Sequence, residues 1–360
     1  MFTILFATML SVPWWGLLIV VSLGVAIGWS LLRRERSRSR LQVDELQTKL
    51  AEQTRSLAHI NIKLNRKNMA VRRQSNALES QKHATELAHR ELQASISYAQ
   101  RIQQGLLSTE EDWKNIGRQF FVMYHPRDVV GGDFHWAYAN KQIACWAVGD
   151  CTGHGVPGAL MSMLGVSFLN EIIADGGETE PAFVLELLRA KIIRTLNQAR
   201  YADSENHDGM DIGLCIMDQR SRHLTFAGAH HPLYLVREAK RKAPEGFTRQ
   251  VTLGEHTLYE FRGDRIPVGK HANDSEGFHT KSLQLWSGDS LYMMSDGLQD
   301  QLGGPDKRKY MAKRIRQKLL ETQERPMAEQ YRFWEAEFID WLASSPIGQV
   351  DDVCLTGVRI

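Results

Sequence analysis

Residues 149–160 read Gly-Asp-Cys-Thr-Gly-His-Gly-Val-Pro-Gly-Ala-Leu and contain the acidic residue most suited to chemistry, Asp150. The short apolar run before it, 142–148, predicts a buried strand, and the longer apolar run 159–169 predicts a buried helix. Asp150 is therefore expected where a strand ends and a glycine-rich turn begins. Turn carbonyls can point the same way as its carboxylate, and such an oxygen-rich corner suits a hard divalent cation. The alternative is an ordinary strand–turn–helix junction with a solvated aspartate.

Three further acidic positions have similar surroundings. Asp133 comes directly after two glycines, and Asp296 ends an apolar run just before a glycine. Asp351 and Asp352 open the last apolar run of the chain. Four carboxylate sites at predicted strand ends can converge on a binuclear metal centre, since magnesium and manganese prefer oxygen ligands. Cysteine and histidine show no zinc-like spacing that would compete with this interpretation.

The elements that must position these acids alternate with turns from residue 113 onward. Apolar runs predict strands at 119–124, 134–138, 143–148, 212–217, 223–227, 233–236, 283–286, 291–294 and 353–360. Helical runs lie at 156–173, 181–198, 307–322 and 325–342. This content favours an α+β fold of two sheets with helices packed outside. The charged segment 237–246 is interpreted as a solvated hairpin tip, and His230 and His231 as part of a strand-end turn.

The motifs GGDF, 149–160, SDG and DDV occur in an order that resembles the metal-dependent PPM protein phosphatases, in particular the SpoIIE-like bacterial branch. The resemblance covers about residues 95–360, with supporting segments at 210–218, 227–234 and 263–269. It implies a PPM-type α-β-β-α sandwich and two divalent cations, Mn²⁺ or Mg²⁺. It also implies that the metal ligands are Asp133, Asp150, Asp296, Asp351 and the backbone carbonyl of Cys151, with Asp150 bridging the ions. Cys151 replaces a glycine of many relatives, which leaves the carbonyl in place.

Two cations held in this way would lower the pKa of a bridging water from about 15.7 toward neutrality, and the hydroxide would attack phosphorus in line. Arg127 is a candidate phosphate clamp because guanidinium binds phosphate in a bidentate way; a structural surface pair is the alternative. His154 is a candidate proton donor to the leaving serine oxygen; a hydrogen bond to its own glycine turn is the alternative. Asp352 and Asp211 are further candidates for the metal site, although Asp211 can equally be a solvated strand end.

The N-terminal segment predicts a membrane anchor. Residues 1–32 carry no charged side chain, and Leu10 to Leu32 is predominantly apolar with tryptophans near both ends. Residues 33–40 then contain five arginines. Because positive charge stays cytoplasmic, we expect a single-pass protein of the inner (cytoplasmic) membrane with a cytoplasmic catalytic domain. A cleaved signal peptide is the alternative, but its positive charges would precede the apolar stretch.

The segment from Leu41 to Leu107 has no proline and only one glycine, which predicts a long helix. Every seventh residue from Val43 is almost uniformly apolar, whereas the companion positions are polar through the middle. This pattern favours a parallel coiled coil, and hence a homodimer. A solitary amphipathic helix lying on its own domain is the alternative.

Composition limits the remaining choices. The formal charge of +2 indicates no nucleic-acid partner, and four cysteines without paired spacing are interpreted as reduced packing residues. The predicted organisation is an extracytoplasmic N-terminus (1–9), a transmembrane helix (10–32), a basic juxtamembrane segment with coiled coil and linker helix (33–107), and a phosphatase domain (108–360).

The sequence thus predicts a membrane-anchored protein serine/threonine phosphatase. The resemblance implies that its substrate is a phosphorylated anti-sigma-factor antagonist of the STAS type. The alternatives are a non-catalytic dimeric scaffold at the membrane, or another metal-dependent signalling enzyme such as a nucleotide cyclase or a phosphodiesterase. The GGDF quartet superficially resembles a diguanylate-cyclase signature, but Phe134 stands where that signature requires an acid.

Overall fold

The computed structural model describes residues 13–117, 119–198, 208–271 and 277–360. The chain divides into two compact units, Met1–His89 and Arg90–Ile360. The predicted extracytoplasmic segment 1–9 and the first residues of the predicted span lie outside the described residues.

Helix α1 (Trp14–Leu106) is 93 residues long. Its N-terminal part reaches a mean hydropathy of 2.1 and is long and apolar enough to cross a membrane, by length and composition alone. Further along, the side chains at the sevenfold positions are exposed, for example Leu50 at 64% and Leu78 at 67%. The long helix is therefore confirmed, while the membrane span and the coiled coil stay predictions.

The second unit contains two antiparallel sheets. The first sheet comprises β1 (Gln119–His125), β6 (Leu233–Glu238), β7 (Arg249–Leu253), β8 (His256–Phe261), β11 (Ser290–Met294) and β14 (Val353–Arg359), in the order β1-β14-β11-β6-β8-β7. The second comprises β2 (Phe134–Ala139), β3 (Ile143–Cys151), β4 (Gly209–Asp218), β5 (His223–Ala229) and β10 (Lys281–Gln284), in the order β10-β5-β4-β3-β2, with β9 (Val268–Gly269) paired to β4. A small hairpin joins β12 (Leu302–Gly303) to β13 (Arg308–Lys309).

Helices cover both outer faces. The remaining elements are α2 (Glu110–Ile116), α3 (Gly155–Leu169), a π-helical segment (Asn170–Asp175), α4 (Pro181–Thr195), α5 (Gly297–Asp300), α6 (Ala312–Thr322) and α7 (Met327–Ala343). Side chains of α3 and α4 pack on the second sheet, and those of α6 and α7 pack on the first. Between the sheets lies a third apolar cluster that includes Trp146, Phe226 and Met293.

Alternation along the strands produces this layering. In β11, Leu291 and Met293 belong to the cluster between the sheets, whereas Tyr292 and Met294 belong to the cluster under α6 and α7. The order of layers is helices, sheet, sheet, helices, so the predicted α-β-β-α sandwich is confirmed. All four cysteines are free and buried, as expected for packing residues.

Three details differ from the sequence-based expectations. The β7–β8 hairpin was not predicted, although it turns at Gly254 in the left-handed region (φ 56°). The solvated hairpin tip was predicted to begin at Arg237, which is wrong, because this side chain is 2% exposed and pairs with buried Asp289 at 2.6 Å. Helix α6 begins at residue 312 rather than 307, because 308–309 form β13.

Candidate metal centre

Strands β3 and β4 bring two carboxylates together. Asp150 near the end of β3 lies directly opposite Asp211 of β4 in the antiparallel register. Side chains that face each other in this way share one face of the sheet, with Cβ atoms about 5 Å apart. The third residue expected nearby, Cys151, ends β3 and is buried.

The turn before β2 is packed tightly against the turn after β3. A Cβ atom added to Gly132 would lie 2.5 Å from the carbonyl oxygen of Gly153 and 3.1 Å from that of Cys151. A Cβ atom on Gly158 would also collide with the Gly153 carbonyl. Only glycines allow this approach, which fixes Asp133 beside the turn that follows Asp150.

Asp352 ties the C-terminal segment to the same turn. Its carboxylate accepts the backbone N–H groups of Arg127 at 2.6 Å and Gly132 at 2.5 Å. A Cβ atom on Gly297 would collide with the Asp352 carbonyl oxygen, so the segment containing Asp296 packs directly on Asp352. The backbones that carry all the predicted metal ligands are thus locked to one another.

Burial and mutual repulsion define the electrostatics of this cluster. Burial raises the pKa of Asp133 well above its usual range, and the charge of Asp150 raises it further. Burial, followed by the charges of Asp296, Asp351 and Asp211, raises the pKa of Asp150 to about 8. Burial and the charge of Asp296 raise the pKa of Asp211 to about 7. The common cause is crowding of carboxylates in a poorly hydrated place.

The group fits a divalent cation chemically. The Oδ2 atom of Asp133 is buried without a hydrogen-bond partner, although its residue is only 2% exposed. An orphaned carboxylate oxygen surrounded by other carboxylates is stabilised by a cation with a preference for oxygen. Across the described ranges, no three acidic, histidine or cysteine side chains already form a complete metal-binding set.

Comparisons with known proteins identify the family and the fold. The family model for stage II sporulation protein E (SpoIIE) matches residues 142–360. The chain belongs to the SpoIIE family. The SiaA-PP2C domain of Pseudomonas aeruginosa is 27% identical with a TM-score of 0.62, over 76% of this chain and 98% of that one. A structure of the PP2C phosphatase domain and part of the regulatory domain of SpoIIE from Bacillus subtilis is 16% identical with a TM-score of 0.50, over 67% of this chain and 63% of that one. No curated protein matches the sequence.

Family membership confirms the predicted class, a PPM-type metal-dependent protein serine/threonine phosphatase. The SpoIIE family match begins at residue 142, so Asp133 lies before it, and its position rests on the close packing of Gly132 against Cys151 and Gly153.

Two further candidate site residues of this SpoIIE-family phosphatase, His154 and Arg127, contact Asp128. His154 Nδ1 lies 2.9 Å from Asp128 Oδ2, so its partner is this carboxylate rather than its own glycine turn. Arg127 donates to the Val350 carbonyl at 3.1 Å, and its Nε lies 4.0 Å from Asp128 Oδ2. Both side chains thus make local contacts, and the phosphate-clamp role of Arg127 and the proton-donor role of His154 stay predictions.

A cavity of about 460 Å³ opens beside the carboxylates, and most of its lining was not assigned a role from the sequence. Asp150, Asp211 and Asp296 contribute to its lining. The other charged or titratable residues that line it are His230, His231, Glu260, Arg262, Arg265 and Arg316. They come from three separate segments, so no single local motif contains them all. The resemblance includes 227–234, with His230 and His231, and 263–269, with Arg265.

Proposed function

We propose that this chain is a membrane-anchored phosphatase that hydrolyses phosphoserine or phosphothreonine on a phosphorylated STAS-type regulatory protein. The observation that carries the catalytic part is the buried carboxylate cluster with its unpartnered Asp133 oxygen, set in a PPM fold. The substrate class rests on SpoIIE-family membership.

Two divalent ions, Mn²⁺ or Mg²⁺, would be held by Asp133, Asp150, Asp296, Asp351 and the Cys151 carbonyl. When bound, such a pair activates water and neutralises charge on phosphoryl oxygens. The chain itself contributes the fixed backbones, the exclusion of water around Asp133, and crowded carboxylates whose charge is relieved by bound protons or by cations.

We assign different roles to Asp352 and Asp211, the two additional candidates for the metal site. Asp352 uses its carboxylate on backbone N–H groups of the 127–133 segment, so we assign it the positioning of Asp133. Its neighbour Asp351 is partly exposed and accepts the N–H of Asp352 at 2.9 Å, which leaves oxygen capacity for a metal. Asp211 faces Asp150 across the strands and suits the outer part of the site.

Anchoring and dimerisation use α1. The apolar start of the helix, ending at the arginine-rich segment, supports a single span with the phosphatase domain in the cytoplasm. At this boundary the Arg33 guanidinium lies 3.6 Å from the Trp29 ring centroid, a pairing suited to a membrane interface. Exposed apolar side chains seven residues apart, such as Leu50 and Leu57, support a dimeric coiled coil.

The end of α1 offers a route for regulation. Gln103 is 4% exposed and donates to the Gly131 carbonyl at 2.6 Å and to Ser162 Oγ at 2.9 Å. Its Oε1 accepts the Gly131 N–H at 3.3 Å. A shift of this helix would therefore move the turn that carries Asp133, and we propose that signals reach the site in this way. Deleting residues 1–90 tests the idea: unchanged phosphatase rate and metal affinity would exclude a regulatory helix.

The function is tested by measuring Mn²⁺-dependent release of phosphate from a phosphoserine STAS-domain protein. The expected result is release by the wild type and by Asp340→Asn, an exposed position on α7, and none by Asp150→Asn. A well-folded wild type that releases no phosphate from any phosphoserine protein would favour the scaffold. Formation of a cyclic product from GTP would favour a cyclase.

A further inference from the structure

The cavity beside the metal centre has walls of opposite charge. The acidic side of the cavity is lined by Asp150, Asp211 and Asp296. The basic side is lined by Arg262, Arg265 and Arg316. A phosphoprotein substrate is an anion, so the acidic side alone would repel it. The arginines decide how the anion is held.

Two of the three arginines are already paired. Arg262 Nε lies 3.2 Å from Glu260 Oε1, and Arg316 donates to Glu260 Oε2, also at 3.2 Å. The Glu260 side chain is 6% exposed and has a third arginine, Arg249, at 3.6 Å. This buried carboxylate engages both arginines, which form the basic wall, so a ligand would have to compete with Glu260 for either of them.

Arg265 differs from both. Within the described ranges its exposed guanidinium makes no hydrogen bond or ion pair. The nearest acid in sequence, Asp264, is turned to His279, accepting its backbone N–H at 2.8 Å and lying 2.9 Å from its Nδ1. The charge of Arg265 nevertheless acts on the cavity. It lowers the pKa of His230, another lining residue, whose pKa is lowered first by burial.

The backbone beneath Arg265 is rigid. Asp264 donates its N–H to the Gly228 carbonyl and accepts the N–H of His230, both at 2.7 Å. Gly228 and Gly263 approach so closely that a Cβ atom on Gly263 would lie 2.6 Å from the Gly228 oxygen. On the other side of Arg265, the side chain of Ile266 is fully buried. A free guanidinium is thus displayed on a fixed turn at the cavity wall.

We propose that Arg265 binds the phosphoryl group of the phosphoserine or phosphothreonine substrate and holds it against the metal centre. A planar guanidinium offers two parallel N–H donors to phosphoryl oxygens, and no internal acid has to be displaced first. The assignment rests on the proposed function, and it gives to Arg265 the clamp role for which the sequence suggested Arg127.

The test compares the full chain in detergent with Arg265→Ala, Arg265→Lys and, as a matched control, Arg332→Ala, an exposed arginine of α7 that does not line the cavity. The readouts are the KM for a phosphoserine peptide and the inhibition constant of inorganic phosphate, both with Mn²⁺. Loss of a charge-assisted hydrogen bond predicts an increase of about tenfold or more in both for the alanine variant. The lysine variant should recover part of the loss, and the control should match the wild type.

Equal inhibition constants for the wild type and Arg265→Ala would overturn the proposal. Failure of the proposed function is distinguishable, because inorganic phosphate binding can be measured by calorimetry on an inactive protein. Weaker phosphate binding by Arg265→Ala would then still support the phosphate site, and unchanged binding would refute it.

Discussion

Replacing Asp150 by asparagine should stabilise the metal-free protein at alkaline pH while abolishing hydrolysis. The pKa of Asp150 rises from its ordinary 3.8 to about 8, because the carboxylate is buried beside Asp296, Asp351 and Asp211. A raised folded-state pKa means that the folded protein binds a proton that the unfolded chain releases above pH 4. The stability that the folded protein gains from binding this proton is present at acidic pH and is lost as the pH rises through 8.

The magnitude follows from the size of the shift. A change of about four pKa units at about 1.4 kcal/mol per unit corresponds to about 6 kcal/mol of unfavourable free energy when Asp150 is ionised. Neighbouring aspartates take up protons as the cluster titrates together, so the substitution recovers only a part of this free energy.

The assay is thermal unfolding of the full chain with EDTA at pH 5 and pH 8.5, with Asp340→Asn as the control. The Asp150→Asn variant should melt several degrees above the wild type at pH 8.5, and the difference should shrink at pH 5. Added Mn²⁺ should stabilise the wild type and reverse the order. An Asp150→Asn variant that is no more stable than the wild type at pH 8.5 without metal would refute carboxylate repulsion at this site.

Three further outcomes follow from the same contacts. Asp352→Ala should lower the unfolding free energy by about 2–3 kcal/mol and weaken Mn²⁺ binding, because it leaves the N–H groups of the 127–133 turn without their acceptor. Thermal unfolding and Mn²⁺ titration measure the two effects. Asp289→Ala should destabilise by about 3–5 kcal/mol without altering metal affinity, because it leaves Arg237 charged and buried; an intact melting temperature would contradict this. Mn²⁺ affinity should rise with pH up to about 8, because metal must displace protons held by Asp150 and Asp211. Calorimetry in buffers of different ionisation enthalpy would detect the proton release. An Mn²⁺ affinity that does not change with pH would contradict this prediction.

The sandwich was predictable because its strands are marked locally. Buried strands such as β3 and β11 read as short apolar runs, and the acids at their ends stand next to glycines. Gly132 and Gly158 are required for contacts that place Asp133, so the glycines that mark the motif also build the site.

The remaining features depend on contacts between distant segments. Arg237 looks like the start of a charged loop until Asp289 is placed beside it, 52 residues later. The basic wall of the cavity could not be predicted from the sequence either, because Glu260 on β8 pairs with the distant Arg316 on α6. Arg265 differs from the paired arginines because its neighbour Asp264 contacts His279 instead. The role of Asp352 likewise appears only when its carboxylate is seen to accept N–H groups more than 200 residues away.

A crystal structure with Mn²⁺, with the ions located by anomalous scattering, tests the metal centre most directly. Two ions are expected, each about 2.0–2.2 Å from its oxygen ligands, held by Asp133, Asp150, Asp296 and Asp351, with Asp150 contacting both. Ions bound elsewhere, or a saturated crystal with no ion beside Asp133 and Asp150, would contradict the assignment.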